Sequence, residues 1–442
     1  MRNYIATCFF LLINQTAFAY SIDYESRLHQ ETNFYDLNID TYNIFKNAET
    51  MFIAIDKDEY IYLVGRNSNK ISKLHILNDH VELLSEFTIE EIKKGSIQDI
   101  HVSLDGRFYI STSGLLPSRK GCYGVALYES NLKFDQFKKI FETSPCIDNS
   151  KVGTSALSGV IASNSESVFI AFSNIIDPDD LSLLMCQNYG YKKCLAYYDY
   201  MGSVFRIQKI SHHAENIARG HRRPQGLVWD HTRGKLWSTD NGPRGGDELN
   251  LTKEGSNYGW PNVSLGRYYS PDEVRNFDLI HYNSHVGFQS PTFAWVPSVG
   301  ISQLNYIKKD SLFADYWSDD LIVSTLKDLS IYRLRVNDGV VVYSERINIG
   351  ERLRDVETSK KFIILATDSG KLVVIGKRKN IPYGIFPKIN MPPKLGSHKA
   401  EAALFLNNFI QHLNDKFNYY CLHLNRLRST FIKYCKSLIK RL

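Results

Sequence analysis

The sequence predicts an all-β protein, a six-bladed β-propeller followed by a C-terminal α-helical extension. Three observations predict it. The chain holds 27 Tyr and 24 Phe in 442 residues, and flat rings suit the pleated surface of a strand. A strand–turn–strand unit recurs six times along the first part of the chain, as radial repetition of small antiparallel sheets requires. Beyond residue 376 the pattern gives way to a proline-rich stretch and then to helical spacing.

Residues 1–19 read as a signal peptide. Met1-Arg2-Asn3 leads into an apolar run from Tyr4 to Ile13, and Ala17-Phe18-Ala19 supplies an A-x-A cleavage site. The run is too short to span a bilayer, so the expectation is export to the periplasm or the extracellular space. Six of the seven cysteines then remain, in a compartment that permits pairing. Sequence proximity suggests Cys186 with Cys194 and Cys122 with Cys146, and other connectivities among these four stay open.

The repeated unit is an apolar strand, a turn carrying Asp, Asn or Gly, and a second strand rich in aromatic or β-branched residues. It runs at Phe52–Val64, Ile100–Ser111, Val160–Ala171, Leu227–Thr239 and Val356–Thr367, with a looser copy from Ile301 to Ser324. Residues 20–376 shared among six units leave about sixty each, enough for a four-stranded blade and a long loop. A pair of β-sandwiches is the alternative. Residues 377–397 hold Pro382, Pro387, Pro392 and Pro393 and read as a linker.

In residues 398–442 Leu406, Ile410, Leu413, Phe417, Tyr420, Leu424, Leu427, Phe431, Tyr434 and Leu438 follow a 4-3-4-3 spacing, that of a long amphipathic helix. This tail carries eight Lys/Arg against two acids, so most of the net charge of +6 lies there. It suits self-association or contact with a membrane surface. Cys421 and Cys435 would stand about 21 Å apart on one helix and could not bridge. Because the basic excess sits on the tail rather than among aromatics on a sheet, nucleic-acid binding is not expected. No P-loop, no helix-opening GxGxxG and no CxxC pair is present.

The chemistry concentrates in about forty residues: Gly220-His221-Arg222-Arg223-Pro224-Gln225-Gly226-Leu227, then Gly242-Pro243-Arg244-Gly245-Gly246-Asp247-Glu248-Leu249-Asn250-Leu251, then Asn257-Tyr258-Gly259-Trp260-Pro261. Paired arginines beside a turn with free carbonyls and an acidic pair suit an anion next to a hard cation. These three stretches resemble the G-H-R-N-P-Q-G-L, G-P-x-G-G-D-E-[LI]-N-L and N-Y-G-W-P motifs of the glucose/sorbosone dehydrogenase family, soluble aldose sugar dehydrogenases that use pyrroloquinoline quinone (PQQ). Gly202-Ser203-Val204-Phe205-Arg206-Ile207, Leu326-Lys327 and Arg352-Leu353-Arg354-Asp355-Val356 are similar to further family stretches.

The resemblance implies a six-bladed propeller that binds PQQ and Ca²⁺ and oxidises an aldose C1 hydroxyl to a lactone, passing electrons to an external acceptor. It implies that Arg222, Lys327, Arg352 and Arg354 hold the cofactor's carboxylates, with Arg223, Gln225 and Ser298 beside it. Arginine suits this because its guanidinium forks onto both oxygens of a carboxylate. The carbonyls of Gly242 and Pro243 would hold the active-site Ca²⁺, and Glu248 and Tyr258 a second, structural one.

The match breaks at the catalytic base. The family's histidine in H-x-G-G-R-[LI] falls at Ala156, in Ser155-Ala156-Leu157-Ser158-Gly159-Val160-Ile161. Alanine cannot accept a proton. Arg223 replaces a family asparagine, and the aromatic that would cover the quinone becomes Val296, with Trp295 able to substitute only on a shifted register. His101, His212 and His213 are given no catalytic role. A non-catalytic binding propeller is therefore the alternative function.

Overall fold

The computed structural model describes residues 20–77, 80–90, 95–116, 118, 121–143, 147–148, 157–174, 201–260, 262–266, 281–282 and 284–378. The expected signal peptide, Ala156, Cys146, Cys186, Cys194, the expected linker beyond residue 378 and the expected helical tail lie outside them.

Each repeated unit is the inner pair of strands of one antiparallel sheet. The first blade starts with Met51–Ile55 and Ile61–Gly65 and the second with Gly95–Val102 and Arg107–Leu115. The third starts with Val160–Ser163 and Ser167–Ala171 and the fourth with Pro224–Asp230 and Lys235–Asp240. Ile301–Tyr306 and Leu321–Thr325 open the fifth, and Leu353–Thr358 and Phe362–Thr367 the sixth. The six innermost strands pack against one another in a closed ring. The fold is thus a six-bladed β-propeller with almost no helix, a single turn at Ala314–Trp317 being the helix among the described residues.

The recurring turn residue has a physical reason. The Asp56 carboxylate accepts the backbone N–H groups of Asp58 (2.9 Å) and Tyr60 (3.0 Å), and Asn164 accepts those of Glu166 and Ser167. Asp230 accepts those of Thr232 and Arg233. Such side chains mimic a backbone turn and fix where the strand reverses. Burial follows the layer. All five residues of Met51–Ile55 are buried, whereas Val340–Asn348, an outer strand, alternates exposed and half-buried positions along most of its length.

Sequence periodicity did not reveal how the ring closes. The fourth strand of the last blade comes from the other end of the chain: Asp36–Asn43 pairs with Lys371–Lys377, Leu37 opposite Lys377 and Asn43 opposite Lys371. Tyr35, just before it, packs edge-on against Phe313 and Trp317 and donates its hydroxyl to the Phe313 carbonyl at 2.9 Å. A pairing across more than three hundred residues leaves no local signature.

The axis is polar. The Asp99 Oδ2 accepts the Ile161 N–H at 2.7 Å, the Gln303 Oε1 the Leu227 N–H at 2.8 Å, and the Asp355 Oδ2 the Ile53 N–H at 2.8 Å. Each bond ties one inner strand to a neighbouring blade and satisfies a donor that no strand partner reaches. These three side chains separate two axial cavities and line both.

Burial pushes the Asp355 carboxyl up to about 7; burial, then the charge of Asp355, pushes Glu357 up to about 8. The folded state therefore binds more protons than the unfolded chain between those values and the ordinary carboxylate range, so its stability falls as pH rises through that window. Glu357→Gln should flatten this slope and leave the variant more stable at pH 8 by on the order of 1–3 kcal/mol. Thermal unfolding at pH 5 and pH 8 checks this, and parallel profiles for the two proteins would refute it.

Candidate functional site

Turns between the second and third strands, and the segments entering each innermost strand, meet at one end of the propeller. They enclose a cavity of about 290 Å³. Its wall brings together Arg66 from the first blade, Ser158 from the third, Arg223, Gln225 and Asn241 from the fourth, and Arg352 and Arg354 from the sixth. Asp99, Gln303 and Asp355 form its floor.

Asp240 sets the arginine pair in place. Its Oδ2 accepts the Arg222 N–H at 2.8 Å and its Oδ1 the Arg223 N–H at 2.5 Å. Arg354 is gripped side-on by Asp368 at 2.9 and 3.0 Å and donates to the Gln225 Oε1 at 3.3 Å. Arg352 reaches the same carboxylate at 3.4 Å. Burial acts against it, but Arg354 holds the Asp368 carboxyl below its ordinary value. Two cations thus share one acid.

Arg222 points elsewhere. Its Nη1 donates to the carbonyls of Asn241 (2.8 Å) and Gly242 (3.1 Å), and its guanidinium lies over the Trp260 ring at 5.2 Å. It lines a second, smaller cavity of about 20 Å³ together with Asp240, Gly242, Pro243, Glu248, Tyr258 and His285. The two calcium sets that the resemblance implies as separate sites therefore share one cavity.

A space of that size holds one ion or one water. The Glu248 carboxyl is buried there, which raises it above its ordinary value although His285, 3.4 Å away, opposes the shift. A buried carboxylate among backbone carbonyls suits a hard cation. The Tyr258 hydroxyl does not contribute, because it donates to the Leu251 carbonyl at 2.6 Å and accepts from the Lys253 N–H. Nor is the Gly242 carbonyl vacant, since the Arg222 guanidinium already sits on it.

Asp247 organises the loops around both cavities. It is fully buried. Its Oδ1 accepts the Gly242 N–H (3.0 Å) and the Ser298 hydroxyl (2.9 Å), and its Oδ2 the N–H groups of Gly300 (2.7 Å) and Ile301 (3.0 Å). Gly242 must be glycine: a Cβ there would lie 2.3 Å from the Gly246 carbonyl oxygen.

Some expected residues stand aside. The Ser298 hydroxyl is spent on Asp247 and accepts the Gly245 N–H, and the Lys327 ammonium rests on the Ser298 carbonyl at 3.4 Å, exposed. Neither lines the larger cavity. Trp295 does not replace the missing aromatic cover. It is buried against Phe293 and Tyr332, while Val296 is exposed.

No histidine lines the larger cavity among the described residues. His101 is half-buried in the other axial cavity with its Nε2 2.8 Å from the Ser163 hydroxyl, and desolvation pushes it down to about 3. His212 lies on a turn where it approaches Lys138.

Sequence reading missed Arg66. It follows the second strand of the first blade, as Lys327 follows that of the fifth and Asp368 that of the sixth. That shared position was the signal available.

The class that fold and site define is a six-bladed propeller with an arginine-walled axial pocket. Residues 122–374 match the model of the glucose/sorbosone dehydrogenase family, and the chain belongs to that family. The aldose sugar dehydrogenase YliI of Escherichia coli is 32% identical over 179 residues, 39% of this chain and 46% of that protein. The chain thus spans less than half the length of the curated relatives it matches. Among solved structures, the apo-form of the soluble aldose sugar dehydrogenase of Escherichia coli has a TM-score of 0.59 at 22% identity, covering 76% of this chain and 99% of that one. The PQQ-bound form of an aldose sugar dehydrogenase from Streptomyces coelicolor has a TM-score of 0.51 at 15% identity, covering 77% and 98%. At these identities the structures are alike in fold.

Proposed function

We propose that this protein is an exported, PQQ- and calcium-dependent sugar dehydrogenase that oxidises the C1 hydroxyl of an aldose to a lactone. The observation that carries the reading is the convergence of Arg223, Gln225, Arg352 and Arg354 on one axial cavity. Family membership and the PQQ-bound title of a structural neighbour support it.

The residues fit the cofactor. Arg354 and Arg352 offer guanidinium edges to carboxylates, and their shared dependence on Asp368 leaves hydrogen-bonding capacity over. Gln225 braces Arg354 from the side. Glu248 and the carbonyl of Pro243 fit a calcium ion, and Arg222 must leave the Gly242 carbonyl for that oxygen to join them. When bound, PQQ supplies the acceptor for the hydride and its electron pair, which an external acceptor then removes.

The chain's own share is to hold the sugar and accept its hydroxyl proton, and here it is weak. The acids on the cavity floor are Asp99 and Asp355. The Asp99 oxygens already accept the Ile100 and Ile161 N–H groups, and those of Asp355 the Val356 and Ile53 N–H groups. A slow dehydrogenase is the expected result. Export is supported by the leader-like pattern of residues 1–19.

Titrating the apo-protein with PQQ and Ca²⁺, followed by absorbance and paired with a dye-linked assay on several aldoses, tests the reading. Saturable binding with slow turnover is expected; neither binding nor turnover would overturn it. A recognition propeller is the second reading, favoured by Ala156, and it predicts partner capture independent of PQQ.

A further inference from the structure

We propose that the sugar this pocket selects is an acid, an aldose bearing a carboxylate such as a hexuronate, and that Arg66 receives the carboxylate. The inference rests on the sugar-dehydrogenase reading and adds the substrate class.

Arg66 is placed for a ligand, and its guanidinium forms no ion pair within 4 Å among the described residues. Its guanidinium lines the cavity, packs over the Phe52 ring at 5.3 Å and makes no hydrogen bond among the described residues. Its Nε is buried and unsatisfied. Leaving such a donor buried and unmade is costly, more so when it is charged. Burial, then the neighbouring charge of Arg354 and that of Arg223, push Arg66 down to about 10. The surroundings thus press it toward an anion.

The cavity does not supply that anion. Asp368 feels Arg66 but is already shared by Arg354 and Arg352. The floor acids Asp99 and Asp355 are held toward their neutral forms by burial.

Location separates this charge from the cofactor's. Every residue that the resemblance assigns to PQQ comes from the fourth to sixth blades or the segments leading into them, whereas Arg66 comes from the first. A neutral aldose offers only hydroxyls and would leave the guanidinium unmatched. A planar carboxylate matches its donor fork. Arg223, where the family carries asparagine, adds a further cation to the same wall.

Calorimetric titration of the apo-protein with D-glucuronate and D-galacturonate, against D-glucose and D-galactose, tests this. The uronates should bind about 10- to 100-fold more tightly than the neutral sugars, with a preference that shrinks as salt rises. Arg66→Gln should abolish the preference and Arg66→Lys keep part of it, with thermal midpoints checked for both. PQQ affinity, read separately by absorbance, should change far less than uronate affinity in Arg66→Gln.

Equal affinity for glucose and glucuronate would overturn the proposal. So would an Arg66→Gln variant that loses PQQ affinity yet keeps the uronate preference, since Arg66 would then serve the cofactor. Uronate preference in a protein that does not bind PQQ would leave this inference standing and sink the cofactor reading alone.

Discussion

Ala156→His is expected to raise aldose turnover by about 10²–10⁴-fold, the usual contribution of a positioned general base. Position 156 lies two residues before Ser158, which lines the cavity, and Leu157 and Ser158 are both buried as the chain enters the third blade. That approach brings Ser158 to the pocket wall. No histidine in the described structure stands there to compete, and the oxygens of the two floor carboxyls are already taken by the Ile100, Ile161, Ile53 and Val356 N–H groups. The variant should also acquire a pH–rate profile that rises through the range where an imidazole loses its proton. Turnover at saturating PQQ, measured from pH 5 to pH 9, is the check. A flat profile with no gain would favour the recognition propeller.

Asp247→Ala should be the most damaging single change at the site. It removes the acceptor for the Gly242, Gly300 and Ile301 N–H groups and for the Ser298 hydroxyl at once, in a fully buried place. Stranding buried donors costs about 1–3 kcal/mol each, and partial relaxation brings the total to on the order of 3–5 kcal/mol. Because Asp247 joins the loop at Gly242 to the entry of the fifth blade, the binding of PQQ and Ca²⁺ proposed above should weaken together. Asp247→Asn keeps one acceptor oxygen and should fall between. Urea unfolding midpoints rank the three proteins, and an unchanged midpoint for the alanine variant would defeat the argument.

What was legible in the sequence was whatever chemistry repeats locally. The six hairpins were readable because Asp56, Asn164 and Asp230 cap equivalent turns with the same bonds. The fourth-blade motifs were readable because contiguous residues carry them, and Arg223, Gln225, Arg352 and Arg354 do meet. Arg66 was not, for it stands alone after an ordinary strand and gains meaning only from what blades four and six place beside it. Side-chain direction was equally hidden. Arg222 and Arg223 are neighbours in sequence, yet Arg222 lines the smaller cavity and Arg223 the larger. Trp295 fails as a cover because its strand register against Asp247 turns it into the core.

The strand Asp36–Asn43 has a consequence for the order of events in folding. It is made early in synthesis, and its partner Lys371–Lys377 is made more than three hundred residues later. Until then one flank of the sixth blade is missing and the ring cannot shut. Closing so long a loop is slow, and the five complete blades must wait with an open seam. A nascent chain of this design stays short of its final stability until Lys371–Lys377 has been translated and can take its place beside the waiting strand.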